Sequence, residues 1–288
     1  MRIAIYGSKR QYGAFGFVGE FLDKLRMRGD KIVMHRKLYM HLFDEMPAAL
    51  TGIEAVTDSP SPKADLAVSL GGDGTFLRTA LWLNGAATPI VGVNTGHLGY
   101  LTALTIDQLP QLPEMIADDR LRIESRTILQ VLSPELPHEV GQYALNEVAI
   151  LKEESASMIQ LAVSLGDMPL AEYRADGLVT CTPTGSTAYN LSVGGPIVEP
   201  TLDVCVLSPI AAHTLSMRPL VVNPEAPVTI VPSGRARHIR IALDGRSAQL
   251  DNGTPVVIGR APFKILVMQL ADHTFADTLK QKLHWGEV

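Results

Sequence analysis

Short apolar runs, broken by glycine-bearing turns, set the rhythm of the first 120 residues. Residues 2–6, Lys31–His35, Leu66–Leu70 and residues 89–94 have the length and composition of buried strands. After the turn at Gly7-Ser8, Phe15, Val18, Phe21, Leu22 and Leu25 recur at helical spacing, and Gly29-Asp30 ends that helix. Further helices are predicted over residues 38–46 and 76–83. Residues 106–117 are weakly helical and carry two prolines. Strands alternating with helices predict βαβ units, so residues 1–120 are expected to form an α/β domain on a Rossmann-like parallel sheet.

The pattern changes near residue 120. Period-two and short apolar runs take over at 121–132, 143–151, 158–165, 178–182, 204–207, 228–231, 238–243, 255–258 and 263–269, with Gly, Pro, Asn and Asp between them. Residues 121–271 are therefore expected to form an all-β C-terminal domain, a sandwich or layered sheets. Helical spacing returns only at Phe275–Leu283, and the terminal segment 272–288 is expected to lie back on the first domain.

Composition narrows the function classes. The 288 residues suggest two domains. With 46% hydrophobic and 19% charged residues, a sizeable core is expected and wholesale disorder is not. A net charge of −5 and the absence of a Lys/Arg run argue against a nucleic-acid binder. Cys181 and Cys205 form no C-x-x-C pair and read as buried thiols in a reducing compartment. The first residues read as a strand entering a turn rather than a signal peptide, and no apolar run approaches the ~20 residues of a membrane span. A cytoplasmic location without membrane partners is expected.

Candidate chemistry concentrates where the strand Leu66–Leu70 runs into Gly71-Gly72-Asp73-Gly74-Thr75 and then a helix. Strand, glycine turn and helix N-terminus together present backbone N–H groups to an anion. Asp73 is out of place in a plain phosphate cradle, because a carboxylate repels phosphate. It points to phosphoryl transfer, with Asp73 activating an acceptor hydroxyl or positioning a metal. The competing structural reading is a tight turn with Asp73 or Thr75 as helix N-cap. Neither G-x-x-x-x-G-K-[ST] nor G-x-G-x-x-G occurs.

A second dense stretch runs from Arg174 to Ser192. Its small residues let a planar group or sugar lie near the backbone, and its hydroxyls and amides supply hydrogen bonds. Asp176 offers a fixed acceptor for a ribose or amide, with Arg174 as a nearby cation. Asn146-Glu147 sits in an otherwise apolar run, where a buried amide and carboxylate need partners, either backbone or the hydroxyls of a ligand. His213, before Thr214-Leu-Ser216, reads as a structural or turn histidine rather than a catalytic one.

These stretches together resemble the NAD kinase family. The matching residues are Gly71-Gly-Asp-Gly-Thr75, Asn94-Thr-Gly96 with Leu98-Gly-Tyr100, Asn146-Glu147, Arg174-Ala-Asp-Gly177, Thr182-Pro-Thr-Gly-Ser-Thr-Ala-Tyr189, Gly194-Gly-Pro196, His213-Thr-Leu-Ser216 with Arg218-Pro219, and Asp244-Gly245. The Gly-Gly-Asp-Gly-Thr motif alone is shared with lipid kinases and phosphofructokinases. The run from Thr182 to Tyr189 is far more specific.

The resemblance implies transfer of a phosphoryl group from ATP to the 2′-hydroxyl of the adenosine ribose of NAD, giving NADP. It also implies a divalent metal, usually Mg²⁺, and a homo-oligomer, dimer or tetramer. By matching position, Asp73 is the general base. Gly71, Gly72, Gly74 and Thr75 line the phosphate or dinucleotide path, with Arg78 nearby. Asn146 and Glu147 hold ribose hydroxyls, and Arg174, Asp176, Thr187, Ala188, Tyr189 and Ser192 bind NAD, some from a neighbouring subunit. After Asp244-Gly245 many relatives carry Gln. Here Arg246 stands there, a cation expected to meet a phosphate or the family's inhibitory product, a departure from the family's contact with NAD at this position. The rival readings are a lipid or sugar kinase of the same motif class, and a dinucleotide-binding regulatory protein without catalysis, for which Asp73 has no use.

Overall fold

The computed structural model describes residues 1–7, 14–96, 99–153, 158–214 and 216–286. Ser8, Leu98, Leu215 and the last two residues, part of the readings above, lie outside these. Contacts divide the chain into two units, Met1–Ser125 with Ile265–Val288, and Arg126–Lys264.

In the first unit the order is β1 (Arg2–Gly7), α1 (Phe15–Met27), β2 (Lys31–His35), α2 (Arg36–Glu45), β3 (Ala55–Thr57), β4 (Leu66–Leu70), α3 (Asp73–Leu83), β5 (Ile90–Asn94), β6 (Leu104–Thr105), α4 (Leu112–Ala117) and β7 (Leu121–Arg126). β4 and β5 are buried at every position, so the run of apolar residues reports strands covered on both faces. Val18, Phe21, Leu22 and Leu25, the buried stripe of α1, share a core with Ile3, Ile5, Ile32, Met34, Val68 and Val91. The prolines at 110 and 113 do not prevent helix. A 3₁₀ segment, Ile106–Gln111, takes the first and hands over to α4, where Pro113 sits in the first turn.

The second unit runs β8 (Leu129–Ser133), β9 (Tyr143–Ala144), β10 (Glu147–Lys152), β11 (Ile159–Leu165), β12 (Met168–Ala175), β13 (Gly177–Cys181), α5 (Tyr189–Ser192), β14 (Cys205–Ile210), β15 (Leu220–Val222), β16 (Val228–Ser233), β17 (His238–Leu243), β18 (Arg246–Asp251) and β19 (Val256–Arg260). One sheet has the order β15-β14-β13-β10-β17-β18 and the other β12-β11-β16-β19-β8-β9, with antiparallel pairings. Their inward positions meet in one core that includes Val131, Val148, Ile150, Leu161, Leu178, Ile230, Ile241 and Ile258. The result is a sandwich.

The chain then returns to the first unit with β20 (Ile265–Leu270) and α6 (Phe275–Leu283). The first sheet has the order β3-β2-β1-β4-β5-β20-β7, with β6 beside β5, and β20 runs parallel to β5. The run read at 263–269 as part of the strand-rich domain thus belongs to the parallel sheet. Its apolar side chains suit either setting, and only pairing distinguishes them. Two long runs also divide. Residues 121–132 give β7 in the first sheet and β8 in another, and 143–151 breaks at Leu145-Asn146.

Both cysteines are buried and free. Burial pushes the Cys205 thiol up to about 12 and raises Cys181 as well, so both are inert at neutral pH. Among the described residues no helix is long and apolar enough to cross a membrane.

Candidate active site

The turn after β4 is built around Gly71, whose φ of +147° lies in the region open to glycine. A Cβ there would stand 2.8 Å from the Thr75 Cβ. Gly72 caps α3 with extended backbone and contributes no side chain, so the helix starts at Asp73. Asp73 does not cap its own helix. Its Oδ2 accepts the Tyr100 N–H at 2.8 Å and its Oδ1 the Leu101 N–H at 3.0 Å, fastening the start of α3 to the loop beyond β5. Close approach is required here, because a Cβ on Gly99 would overlap the Asp73 carboxylate. Thr102 Oγ1 accepts the Gly99 N–H at 2.8 Å and an Asn94 side-chain N–H at 3.3 Å, while Asn94 Oδ1 accepts the Gly96 N–H at 2.6 Å. A carboxylate offers about four lone-pair positions, and the two N–H donors occupy one on each oxygen. Gly72 and Gly74 are exposed beside it.

Arg78 lies one turn further along α3. Its Nη2 donates to Thr75 Oγ1 at 3.2 Å. Burial pushes the Tyr6 phenol up, and the charge of Arg78 and a hydrogen bond from it pull the other way. Tyr6, at the end of β1, packs its ring 4.4 Å from His35 and 5.8 Å from Trp82. The sequence reading did not single out Tyr6. An apolar strand ending in an aromatic residue gives no hint that its hydroxyl meets a cation.

In the second unit the organising group is Asp244, at φ +46° in the turn between β17 and β18. Its Oδ2 accepts the Leu145 N–H at 2.7 Å, and its Oδ1 accepts those of Asn146 and Glu147 at 2.9 and 3.1 Å. The break between β9 and β10 is thereby filled by a side chain. Burial pushes the Asp244 carboxyl up, while those three N–H groups and the Arg246 charge oppose the rise. Glu147 begins β10. Burial and the adjacent Asp244 push it up to about 7, against a hydrogen bond from the Tyr189 backbone. Its Oε2 is buried and has no hydrogen-bond partner among the described residues, and the same holds for Thr184 Oγ1.

The hydroxyl-rich turn divides into two sets. Thr182 Oγ1 donates to the Leu145 carbonyl at 2.6 Å and accepts the Gly185 N–H at 3.1 Å. A Cβ on Gly185 would stand 2.5 Å from the Asn146 carbonyl carbon. Ser186 and Asn190 are fully buried, and Asn190 donates to the Ser186 and Pro196 carbonyls and accepts from Ser208. These residues build the turn. Thr187, Ala188, Tyr189 and Ser192 stand on its open side, half-buried or exposed.

Arg174 and Asp176 are elsewhere. In the β10–β13 ladder Glu147 pairs with Cys181 and Leu151 with Gly177, so Asp176 and Glu147 mark opposite ends. The cation at Asp176 is Lys152, 2.6 Å away, which the sequence reading missed, and Arg174 is exposed, with Glu172 at 3.8 Å. Arg246 turns its guanidinium onto protein carbonyls, those of Val140 and, at 2.6 Å, Tyr143. The backbone N–H of His213 donates to the Arg174 carbonyl at 2.9 Å, and the residue lies in a turn. Among the described residues no three His, Cys, Asp or Glu side chains converge as a metal site.

The sequence model of the ATP-NAD kinase N-terminal domain matches residues 23–121, and that of the C-terminal domain residues 145–269. A Porphyromonas gingivalis NAD kinase is 39% identical over 287 residues, 99% of this chain and 98% of the relative. A Bacteroides fragilis NAD kinase is 35% identical over 286 residues, again 99% and 98%. The crystal structure of an Archaeoglobus fulgidus NAD kinase in complex with ATP superposes with a TM-score of 0.70 at 26% identity, covering 94% of each chain. Yeast NADH kinase complexed with NADH gives a TM-score of 0.87 at 21% identity, over 100% of this chain and 89% of that one, a likeness of fold.

Proposed function

The chain belongs to the NAD kinase family, and from that premise we propose how its residues divide the work. The reaction is phosphoryl transfer from ATP to the 2′-hydroxyl of the adenosine ribose of NAD, with NADP and ADP as products. Such transfers depend on positioning and charge stabilisation rather than on covalent chemistry by the protein. Asp73 is the general base. An aliphatic hydroxyl is a weak nucleophile, and a carboxylate fixed beside it takes up its proton as the new P–O bond forms. The observation that carries this assignment is the Asp73 carboxylate itself, held by two backbone N–H groups and still able to accept a third hydrogen bond.

The backbone at Gly71, Gly72, Gly74 and Thr75 and the N-terminus of α3 receive the triphosphate, with Arg78 as the cation. A divalent metal, Mg²⁺, would come with ATP, bound chiefly to its phosphate oxygens and water, and would offset the charge of the triphosphate. Asn146 and Glu147 take ribose hydroxyls. The unpartnered Glu147 Oε2 supports this, because a buried carboxyl oxygen needs a polar partner. Thr187, Ala188, Tyr189 and Ser192 line the dinucleotide on the open side of their turn. Asp176, five residues or roughly 17 Å from the Glu147 end of the ladder, and Arg174, two residues before it on β12, serve the dinucleotide of a neighbouring subunit in a homo-oligomer.

The direct test mixes purified protein, ATP, Mg²⁺ and NAD and reads NADP with an NADP-specific dehydrogenase. Steady NADP formation that disappears in Asp73→Asn is the expected result. NADP formation that survives that substitution would remove Asp73 from the reaction.

A further inference from the structure

Arg246 occupies the position at which the sequence suggested a ligand contact, yet both of its terminal nitrogens meet protein. One donates to the Val140 carbonyl and the other to that of Tyr143 at 2.6 Å. The chain makes room for the guanidinium by turning at Gly141, where φ is +68° and a Cβ would come within 3.3 Å of the Arg246 Nη1. Arg246 pairs with Leu243 in the β17–β18 ladder of one sheet, whereas Tyr143 pairs with Gln130 in the other. The side chain therefore ties the two sheets together at one end of the sandwich. Two residues separate its anchor at Tyr143 from Asn146. Asp244, two residues before Arg246 and 4.0 Å from its Nη2, grips the N–H groups of residues 145–147.

We propose that Arg246 is a positioning residue for NAD: it clamps residues 140–143 so that Asp244 can present Asn146 and Glu147 to the ribose hydroxyls. The inference rests on the assignment of those two residues to NAD. In this arrangement Asp244 fixes the tip of the segment from the inside and Arg246 fixes its stem. A phosphate at Arg246 would have to displace two charge-assisted hydrogen bonds that are already made.

The test is a double-mutant cycle on the full chain in steady state, with Arg246→Ala, Arg246→Lys and Asn146→Ala. Arg246→Ala is expected to raise KM for NAD about tenfold, the size of a lost hydrogen bond to a charged group, with KM for ATP unchanged and kcat within about twofold. Arg246→Lys, whose ammonium carries three donors, restores most of that loss. In the Asn146→Ala background, Arg246→Ala costs about threefold rather than tenfold, because one of the two groups it positions is already gone and Glu147 remains. Hydrogen exchange of the unliganded protein gives a second readout: amides 145–147 exchange faster in Arg246→Ala and as in the parent in Arg246→Lys. If Arg246→Ala fails to fold, Arg246→Lys and Arg246→Gln carry the comparison. Losses that multiply fully in the Asn146→Ala background, or an unchanged KM for NAD in Arg246→Ala, overturn the clamp. If Asn146→Ala and Glu147→Gln themselves leave KM for NAD unchanged, the assignment of the ribose contacts fails and takes the clamp with it.

Discussion

Asp73 Oδ1 accepts the backbone N–H of Leu101 at 3.0 Å, across 28 positions of chain. With the parallel bond from Tyr100, it makes the proposed base a fastener of its own site. Asp73→Asn preserves shape but replaces one acceptor with an NH₂ group, which then faces an N–H. The expected outcome is a kcat lower by roughly a hundredfold or more from the lost base. Thermal unfolding should also show a loss of about 1–3 kcal/mol, the cost of one unpaired amide. KM for NAD stays within a few fold, since the ribose contacts are assigned elsewhere. A variant with near-normal kcat would remove the base role while leaving the fastening intact.

Gly99→Ala tests the same carboxylate from the other side. The new methyl would stand 2.5 Å from the Asp73 Cγ, so the loop or the carboxylate must move. Misplacing a reacting group by about 1 Å costs on the order of a hundredfold in rate, and kcat is expected to fall by that order. Gly16→Ala is the control: nothing lies within 4 Å of a Cβ there, and its exposed helical position predicts unchanged turnover. Equal kcat in the two variants would mean that Asp73 tolerates displacement.

How much of this was legible in the sequence depends on the kind of signal. Leu66–Leu70 and the glycines behind it announced a strand, a turn and a helix, because apolar runs and glycines report local geometry directly. β18 was missed: its sequence, Arg-Ser-Ala-Gln-Leu-Asp, has no apolar run, since it is the last strand of its sheet and alternates between half-buried and exposed. β12, Met-Pro-Leu-Ala-Glu-Tyr-Arg-Ala at the end of its sheet, also lacks an apolar run, whereas β15, Leu-Val-Val at the other sheet's end, is only three residues long. Pairing was invisible too, so β20 could not be assigned to the parallel sheet. At the site, Asp73 was found because a carboxylate contradicts its phosphate-binding turn. The carboxylate of Asp244 offered no such contradiction, because Asp-Gly is ordinary at a hairpin. Its grip on residues 145–147 spans about a hundred positions and exists only in the fold.

Tyr6→Phe removes a hydroxyl that meets Arg78 and leaves the ring in its packing against His35 and Trp82. Among the described residues Arg78 then keeps its bond to Thr75 and swings more freely. If Arg78 is the cation on the triphosphate, KM for ATP rises about three- to tenfold, the value of one hydrogen bond to a charged group, while KM for NAD holds. Initial rates over a grid of both substrates separate the two constants. An effect on NAD in place of ATP would move Arg78 away from the triphosphate.

Glu147 predicts a pH dependence of stability with a definite sign. Burial and the neighbouring Asp244 carry its carboxyl from the ordinary 4.5 to about 7 in the folded protein. Below pH 4.5 both folded and unfolded chains hold the proton, and Glu147 contributes no slope. Between 4.5 and 7 the unfolded chain ionises while the folded one does not, so stability falls as pH rises. Above 7 both are ionised and the loss is complete, on the order of 3 kcal/mol. Glu147→Gln has nothing to ionise there, so its stability relative to the parent should climb by that amount between pH 4.5 and 8. Asp244 is raised by burial in both proteins and drops out of the difference to first order. Urea unfolding of the two unliganded proteins at several pH values measures it. A gap that does not change with pH would mean that Glu147 is ionised in the fold throughout, and its buried oxygen would then need a cation or a further hydrogen-bond donor to hold the charge.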